Sequence, residues 1–165
     1  MTNPPLRRSL SEQVTHRFGY AASLYLGAEQ TCQFGKASIA SYGLPTFLLL
    51  GFALENAFAA FLMACEHKSP GDYKSHDLTR AMTACKPYGV VFAKDDIEFV
   101  ERFTPLQKSF AFRYPEQMDE ADLGDLTNAL RRTRSIITDV QVGLKIKGFD
   151  PAEIAENLPD ERTGS

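Results

Sequence analysis

The length and charge of the chain limit what kind of protein it is. The chain has 165 residues, of which 44% are hydrophobic, so we expect one domain with a sizeable core and not two domains of ordinary size. Its 18 basic and 21 acidic side chains give a net charge of -3, which provides no bulk attraction to nucleic acid or to an anionic membrane. Any binding to either must therefore come from a local patch.

Both ends of the chain are polar and contain proline. We predict a flexible N-terminal segment at 1–12, a single helical bundle domain at 13–150 and a loose C-terminal tail at 151–165. The first part of the chain lacks the long apolar stretch of a secretory signal. Three dispersed cysteines without CxxC spacing fit a reducing compartment. We therefore expect a cytoplasmic protein with no membrane partner.

Helical spacing begins near the amino terminus. Apolar residues recur at helix-face intervals from about Ser11 to Ser38, with Tyr25 on the inward face. This spacing predicts a first helix over that range, either continuous or in two pieces broken near Gly19 or Gly35.

The second predicted helix is apolar on nearly every face. It starts at Thr46 after Pro45, and it carries a stripe of bulky side chains beside a stripe of alanines. From Leu44 to Cys65 it is long enough to span a bilayer, but a carboxylate at its midpoint, Glu55, would cost about 2.5 to 3.5 kcal/mol in lipid. We therefore predict the central helix of a soluble bundle, in which Glu55 needs a polar partner.

A breaker at 68–72 separates this helix from a third one. Ser75 is the predicted N-cap, with His76 and Asp77 in the first turn, and the helix ends near Cys85. Because consecutive helical positions point about 100° apart, these three residues cannot align as a hydrolytic triad.

Two more helices complete the predicted fold. The fourth opens at Lys94, and Pro105 predicts a kink or break near Thr104. The acidic run at 119–122 caps a long last helix that stops at Gly148. The segment 89–92 is the only strand candidate, and it is short. The fold class we predict is all-α, an up-and-down bundle of four to five helices.

The residues around the buried acid form the first candidate site, for a buried polar contact or a ligand. We expect Glu55 to accept a hydrogen bond from His76, Arg113 or Tyr114. The candidates are Glu55, Asn56, His76, Asp77, Arg113 and Tyr114.

Basic residues on the last helix form the second candidate site. Arg131 and Arg134 sit on neighbouring turns and, with Lys145, have the charge to bind phosphates. The alternative is a solvated face on which bases follow acids, as the helix dipole prefers. The histidines are dispersed and share no helix face, and there is no glycine-rich phosphate loop, so we expect no metal site and no cofactor.

Three segments together resemble a known family. They are Ala53–Leu62 on the apolar helix, Ser75–Leu78, and Arg113–Pro115 before the last helix. In this order and spacing they resemble the HEPN superfamily, the higher-eukaryote and prokaryote nucleotide-binding domain, over roughly residues 44 to 145. The resemblance implies a bundle of four or five helices that usually pairs as a homodimer.

The same resemblance bears on activity. The family includes metal-independent ribonucleases, toxin or antitoxin partners of nucleotidyltransferases, and non-catalytic modules that bind RNA or nucleotides. Its nuclease signature is an arginine followed closely by a histidine, but no histidine follows His76 in this chain. We therefore predict a non-catalytic homodimeric binding module for RNA, a nucleotide or a partner protein, such as a nucleotidyltransferase. The alternatives are a toxin-antitoxin or scaffold subunit with protein contacts only, and an atypical HEPN ribonuclease.

Overall fold

The computed structural model describes residues 8–34, 39–109 and 125–151. These ranges contain five α-helices and two short 3-10 turns, and no strand. The helices are α1 (Leu10–Phe34), α2 (Ile39–Ala64), α3 (Leu78–Cys85), α4 (Lys94–Lys108) and α5 (Leu126–Ile146). The turns are Pro70–Asp72, between α2 and α3, and Lys86–Tyr88, after α3. The structure confirms the predicted all-α helical bundle.

The bundle is organised around α2, which packs against α1, α3, α4 and α5. Most of the predicted bulky and alanine stripes are buried, because neighbouring helices cover several faces of α2 at once. Alanines permit close helix packing. The fully buried members of the two stripes are Leu50, Ala53, Leu54, Ala57, Phe58, Ala60 and Phe61.

The same helix is apolar enough to cross a membrane. The stretch Gly43–Ala64 has 22 residues and a mean hydropathy of 1.9, and 61% of its most apolar window is buried inside the bundle. A core helix of a soluble protein has the same length and composition.

Two predicted boundaries at prolines are wrong. The second helix begins at Ile39 and runs through Pro45. Of the kink or break predicted near Thr104, the break is wrong, because the fourth helix runs through Pro105 to Lys108. Each proline removes one backbone hydrogen bond from the helix. Both rings are exposed, and Glu101, whose carbonyl loses its partner to Pro105, is exposed as well, so water can hydrate that carbonyl.

The first helix has no break at Gly19, which was one of the two break points that the sequence analysis allowed. It runs unbroken through Gly19 and ends at Phe34. Gly35, the other predicted break point, lies outside the described residues.

The connection between α3 and α4 packs into the core without forming a strand. Gly89 adopts a left-handed conformation with φ of 100°, which glycine adopts without strain. The residues that follow alternate, with Val90 and Phe92 buried and Val91 exposed. This is the side-chain pattern of a strand, but no partner strand lies in the described part of the chain.

Candidate functional site

The first polar cluster forms where α2 ends. Glu66 has a φ of 50°, and its N–H bonds to the Met63 carbonyl while the N–H of His67 bonds to the Leu62 carbonyl, both at 2.9 Å. This pair of bonds is a Schellman motif, which turns the chain sharply after the helix. Here the left-handed residue is a glutamate instead of the usual glycine.

His67 connects the two 3-10 turns. Its Nε2 lies 2.6 Å from Asp72 Oδ2 and its Nδ1 lies 2.9 Å from the Tyr88 hydroxyl, while Arg80 Nε donates to Asp72 Oδ1 at 2.6 Å. The hydrogen bond with His67, followed by the one with Arg80, lowers the pKa of Asp72 against the opposing effect of burial. In the neutral tautomer that fits these contacts, His67 donates to Asp72 and accepts from Tyr88.

This Asp72–His67–Tyr88 chain was not predicted from the sequence. A carboxylate that orients a histidine, which in turn contacts a hydroxyl, has the connectivity of a proton relay. It lines a cavity of about 590 Å³ that also includes Arg80 and Thr83. The same contacts also have a structural role, because they tie the turn at Pro70–Asp72 to the turn at Lys86–Tyr88.

The second polar cluster surrounds Glu55. The Oε1 atom of Glu55 lies 2.7 Å from Nδ1 of His76 and accepts a hydrogen bond from Nε2 of Gln107 at 2.6 Å. The contact between Glu55 and His76 confirms one of the predicted pairings. Gln107 was not predicted, and Arg113 and Tyr114 lie outside the described residues. The Glu55 side chain is 18% exposed, so the acid is largely buried, as expected.

A glycine makes room for the Gln107 contact. A methyl group on Gly51 of α2 would lie 2.1 Å from Gln107 Oε1, which no side chain can tolerate without movement. Oε1 of Gln107 is itself buried and has no hydrogen-bond partner in the described structure. The amide is therefore held through Nε2 and by its packing against Gly51.

The N-cap of α3 is Asp77. The sequence analysis predicted Ser75 for this position, and that prediction is wrong. Asp77 Oδ1 accepts from the Arg80 backbone N–H at 3.0 Å, and Lys108 Nζ donates to Oδ2 at 2.9 Å. Burial opposes ionisation of Asp77, but these hydrogen bonds outweigh it and lower its pKa. The helix starts later than predicted because His76 has a φ of 55°, which excludes it from the first turn.

Asn56 does not belong to the Glu55 cluster. Its Nδ2 donates to the Phe52 carbonyl at 2.8 Å, and its Oδ1 accepts from Arg17 Nε at 3.2 Å. Neighbouring positions on a helix point about 100° apart, so Asn56 faces α1 while Glu55 faces the α3 and α4 side. The structure therefore separates two residues that the sequence analysis had grouped.

The arginines of α5 divide into two kinds. Arg132 binds both Asp95 and Asp96, and Asp96 is fully buried and also accepts from Ser135 Oγ at 2.8 Å. Burial lowers the pKa of Arg132, but these carboxylates outweigh it and raise the pKa. Arg131, in contrast, is exposed, and within the described ranges its side chain donates only to the neutral Asn128 Oδ1, at 2.9 Å.

The three predicted phosphate-binding residues share one face of α5. Arg131 and Arg134 are three positions apart, and Lys145 follows near the other end of the helix, so all three point within about 60° of one direction. Arg131 and Lys145 are exposed and Arg134 is half-buried. We call this surface the basic face of α5.

The start of α5 differs from its prediction. The N-cap is Asp125, whose two carboxylate oxygens accept from the N–H groups of Thr127 and Asn128 at 3.1 and 3.3 Å. The acidic run at 119–122 lies outside the described residues. The predicted stop holds, since Gly148 is left-handed with φ of 82°.

Over the described ranges, no group of three His, Cys, Asp or Glu side chains is arranged to hold a metal ion. The cysteines Cys32, Cys65 and Cys85 are free thiols, and burial raises the pKa of both Cys65 and Cys85.

Comparison with known proteins gives no match: no family model matches the chain, and no curated protein or solved structure matches it significantly.

Proposed function

We propose that this protein is a cytoplasmic, non-catalytic HEPN-like module that works as a homodimer and binds RNA through the basic face of α5. One observation carries the proposal. Arg132 is neutralised by two carboxylates, whereas its neighbour Arg131 is exposed and, among the residues that the structure describes, bonds only to an amide oxygen. A guanidinium that is positioned but not neutralised retains its charge for an anionic ligand.

The spacing of the basic face suits an extended ligand. Arg131 and Lys145 are fourteen positions apart, which corresponds to about 21 Å along the helix axis. Arg134 lies between them and makes no salt bridge within the described ranges. A ligand with repeated phosphates contacts such a row through several charges at once, and each contact releases counterions.

The positions of the histidines support the non-catalytic part of the proposal. Metal-independent RNA cleavage needs a proton-transfer group and a cation at the same phosphate. His67 is held by Asp72 and Tyr88, and His76 is bonded to Glu55. Neither lies on α5, where the basic face is, and the third histidine, His16, lies on α1.

Salt-dependent binding of a labelled single-stranded RNA, followed by fluorescence anisotropy, tests the proposal. Three phosphate contacts predict a slope of about -2 for log K against log salt, and the double variant Arg131→Gln/Arg134→Gln should retain only about -0.7. The matched control is Lys86→Gln/Arg102→Gln, which also removes two positive charges, from exposed positions outside α5. Equal affinities for the two double variants, or no binding by the wild type at low salt, would contradict the proposal.

The Asp72–His67–Tyr88 chain favours one alternative, an atypical ribonuclease. In that case a histidine oriented by Asp72 would remove the 2′-hydroxyl proton of RNA. The alternative requires cleavage that persists in the presence of a chelator and disappears in His67→Asn. We expect no cleavage by the purified wild-type protein.

A further inference from the structure

Both ring nitrogens of His67 are already engaged in the Asp72–His67–Tyr88 chain. Nε2 lies 2.6 Å from Asp72 Oδ2, and Nδ1 lies 2.9 Å from the Tyr88 hydroxyl. In the neutral tautomer one nitrogen donates to Asp72 and the other accepts the proton of Tyr88. A substrate could reach either nitrogen only by breaking one of these bonds. The atom through which this chain can act on a substrate is therefore the phenol oxygen of Tyr88.

The surroundings hold this chain in place and keep water away from it. The side chains of His67 and Asp72 are only 17% and 16% exposed, and Tyr88 is half-buried. Arg80 Nε donates to the second oxygen of Asp72 at 2.6 Å, which fixes the carboxylate that orients His67. A hydroxyl, a histidine that accepts its proton and a carboxylate that orients the histidine are the parts of an activated nucleophile.

The cavity beside the chain limits the class of compound that Tyr88 can react with. Both His67 and Tyr88 line it, and its volume of about 590 Å³ suits a small molecule. Among the described lining residues the one arginine or lysine, Arg80, is already paired with Asp72, and the lining carboxylate of Asp77 is paired with Lys108. A phosphorylated donor would find no unpaired cation in this lining, whereas an uncharged donor needs none.

We propose that Tyr88 is a site of covalent acylation, at which its phenol oxygen attacks an uncharged, activated carboxylic ester with His67 as the general base. The Tyr88 oxygen bonds to the acyl carbon while its proton passes to Nδ1 of His67. The bond between the acyl carbon and the leaving oxygen then breaks, and the leaving group takes that proton from His67. The products are acylated Tyr88, neutral His67 and a free alcohol or phenol.

Asp72 has a positioning role in this reaction. It accepts from Nε2 of His67 and stabilises the imidazolium that exists between the two proton transfers. The modification goes beyond the proposed RNA binding and does not depend on it, because the chain lies outside α5.

Acetylation by p-nitrophenyl acetate, followed residue by residue with peptide mass spectrometry, tests the proposal. Tyr20 is the reference in the same chain, because it is 57% exposed and its ring lies beside that of His16, with centroids 5.5 Å apart. Exposure alone predicts faster acetylation of Tyr20 than of Tyr88. A general base contributes about 10²- to 10⁴-fold, so we expect Tyr88 to react at least about 10-fold faster than Tyr20. Equal rates, or a faster Tyr20, would overturn the proposal.

Variants at position 67 test the general base. In His67→Gln the Tyr88 rate should fall by about 100-fold while the Tyr20 rate stays unchanged. His67→Ala should lose as much, and free imidazole should restore part of the loss by accepting the Tyr88 proton from the vacated space. The recovery is measured relative to Tyr20, because imidazole also carries acetyl groups to other tyrosines. Circular dichroism identifies the variants that keep their helical content. In a folded variant, an undiminished Tyr88 rate in His67→Gln or no recovery in His67→Ala would overturn the role of His67.

Two more comparisons test the orienting carboxylate and the class of donor. Asp72→Asn should lower the Tyr88 rate, and Asp72→Glu, which restores a carboxylate, should recover part of it. Equal rates in these two variants would overturn the positioning role of Asp72. Transfer of a phosphoryl group from p-nitrophenyl phosphate to Tyr88, at a rate equal to acetylation or higher, would overturn the assignment of an uncharged acyl donor.

Discussion

Replacing Gly51 with alanine should destabilise the protein, although alanine is the better helix former. In a helix interior alanine is favoured over glycine by about 1 kcal/mol. A methyl group at Gly51, however, would lie 2.1 Å from Oε1 and 2.6 Å from Cδ of Gln107. The buried Gln107 amide must then move away from Glu55, to which it donates at 2.6 Å.

The magnitude follows from that hydrogen bond. A hydrogen bond to a carboxylate contributes about 1.5 to 3 kcal/mol, and the gain in helix propensity offsets about 1 kcal/mol of its loss. The net loss in the free energy of unfolding is therefore about 0.5 to 2 kcal/mol, which for a domain of this size lowers Tm by about 1 to 8 °C. Thermal unfolding followed by far-UV circular dichroism measures the shift.

A second background makes this prediction sharp. In Gln107→Ala the obstacle is gone, so adding Gly51→Ala should raise the free energy of unfolding by about 1 kcal/mol. The effect of the same substitution should thus change sign between the two backgrounds. If Gly51→Ala in the wild-type background leaves Tm unchanged or raises it, the reasoning is refuted. The Gln107 amide would then have moved without losing its hydrogen bond to Glu55.

Two further predictions concern carboxylates. Arg132→Ala should lower the free energy of unfolding by about 3 to 5 kcal/mol, because the fully buried Asp96 loses its guanidinium partner. The control Arg131→Ala should change the free energy of unfolding by less than about 0.5 kcal/mol. Urea unfolding measures both values, and equal losses in the two variants would contradict this prediction. The hydrogen bond with His67 is the main cause of the lowered pKa of Asp72, so its stabilising effect is present above pH 3.8 and is lost as pH falls through the lower folded value. Urea unfolding at decreasing pH should show this acid loss, and Asp72→Asn should reduce it; an unchanged acid dependence in the variant would count against it.

The helical fold could be predicted because apolar spacing is a local signal. Five helices arise from residues that repeat at helix-face intervals, and that repeat needs no knowledge of the partner surface. The residue at which α2 begins and the residue at which α4 ends could not be predicted in the same way. A local rule stops a helix at Pro45 or Pro105, but both rings lie in water on an otherwise packed helix, and packing outweighs one lost hydrogen bond.

The polar sites also divide into contacts that local sequence predicts and contacts that depend on packing. An acid in the middle of an apolar helix needs a partner, and this argument identified His76 for Glu55. It missed Gln107 because that residue follows Pro105, beyond the kink or break predicted near Thr104. No local pattern directs a glutamine on α4 to a glycine on α2.

His67 was missed for a different reason. It was considered only as a metal ligand, and by spacing it has no second ligand on its helix face. The available signal was the turn at Pro70 and Gly71, which brings His67 and Asp72 together across a few residues. Its contact with Tyr88 depends on how α3 packs, and the sequence alone does not specify this.

The central position of α2 limits how related chains can differ in length. A single inserted residue turns everything beyond it by about 100° and advances it by about 1.5 Å. In a helix packed against one neighbour, such a shift can be absorbed by fraying at an end. In α2, which contacts four other helices, it would misalign several packed surfaces at once, so insertions and deletions among relatives should fall in the connections and leave α2 at constant length.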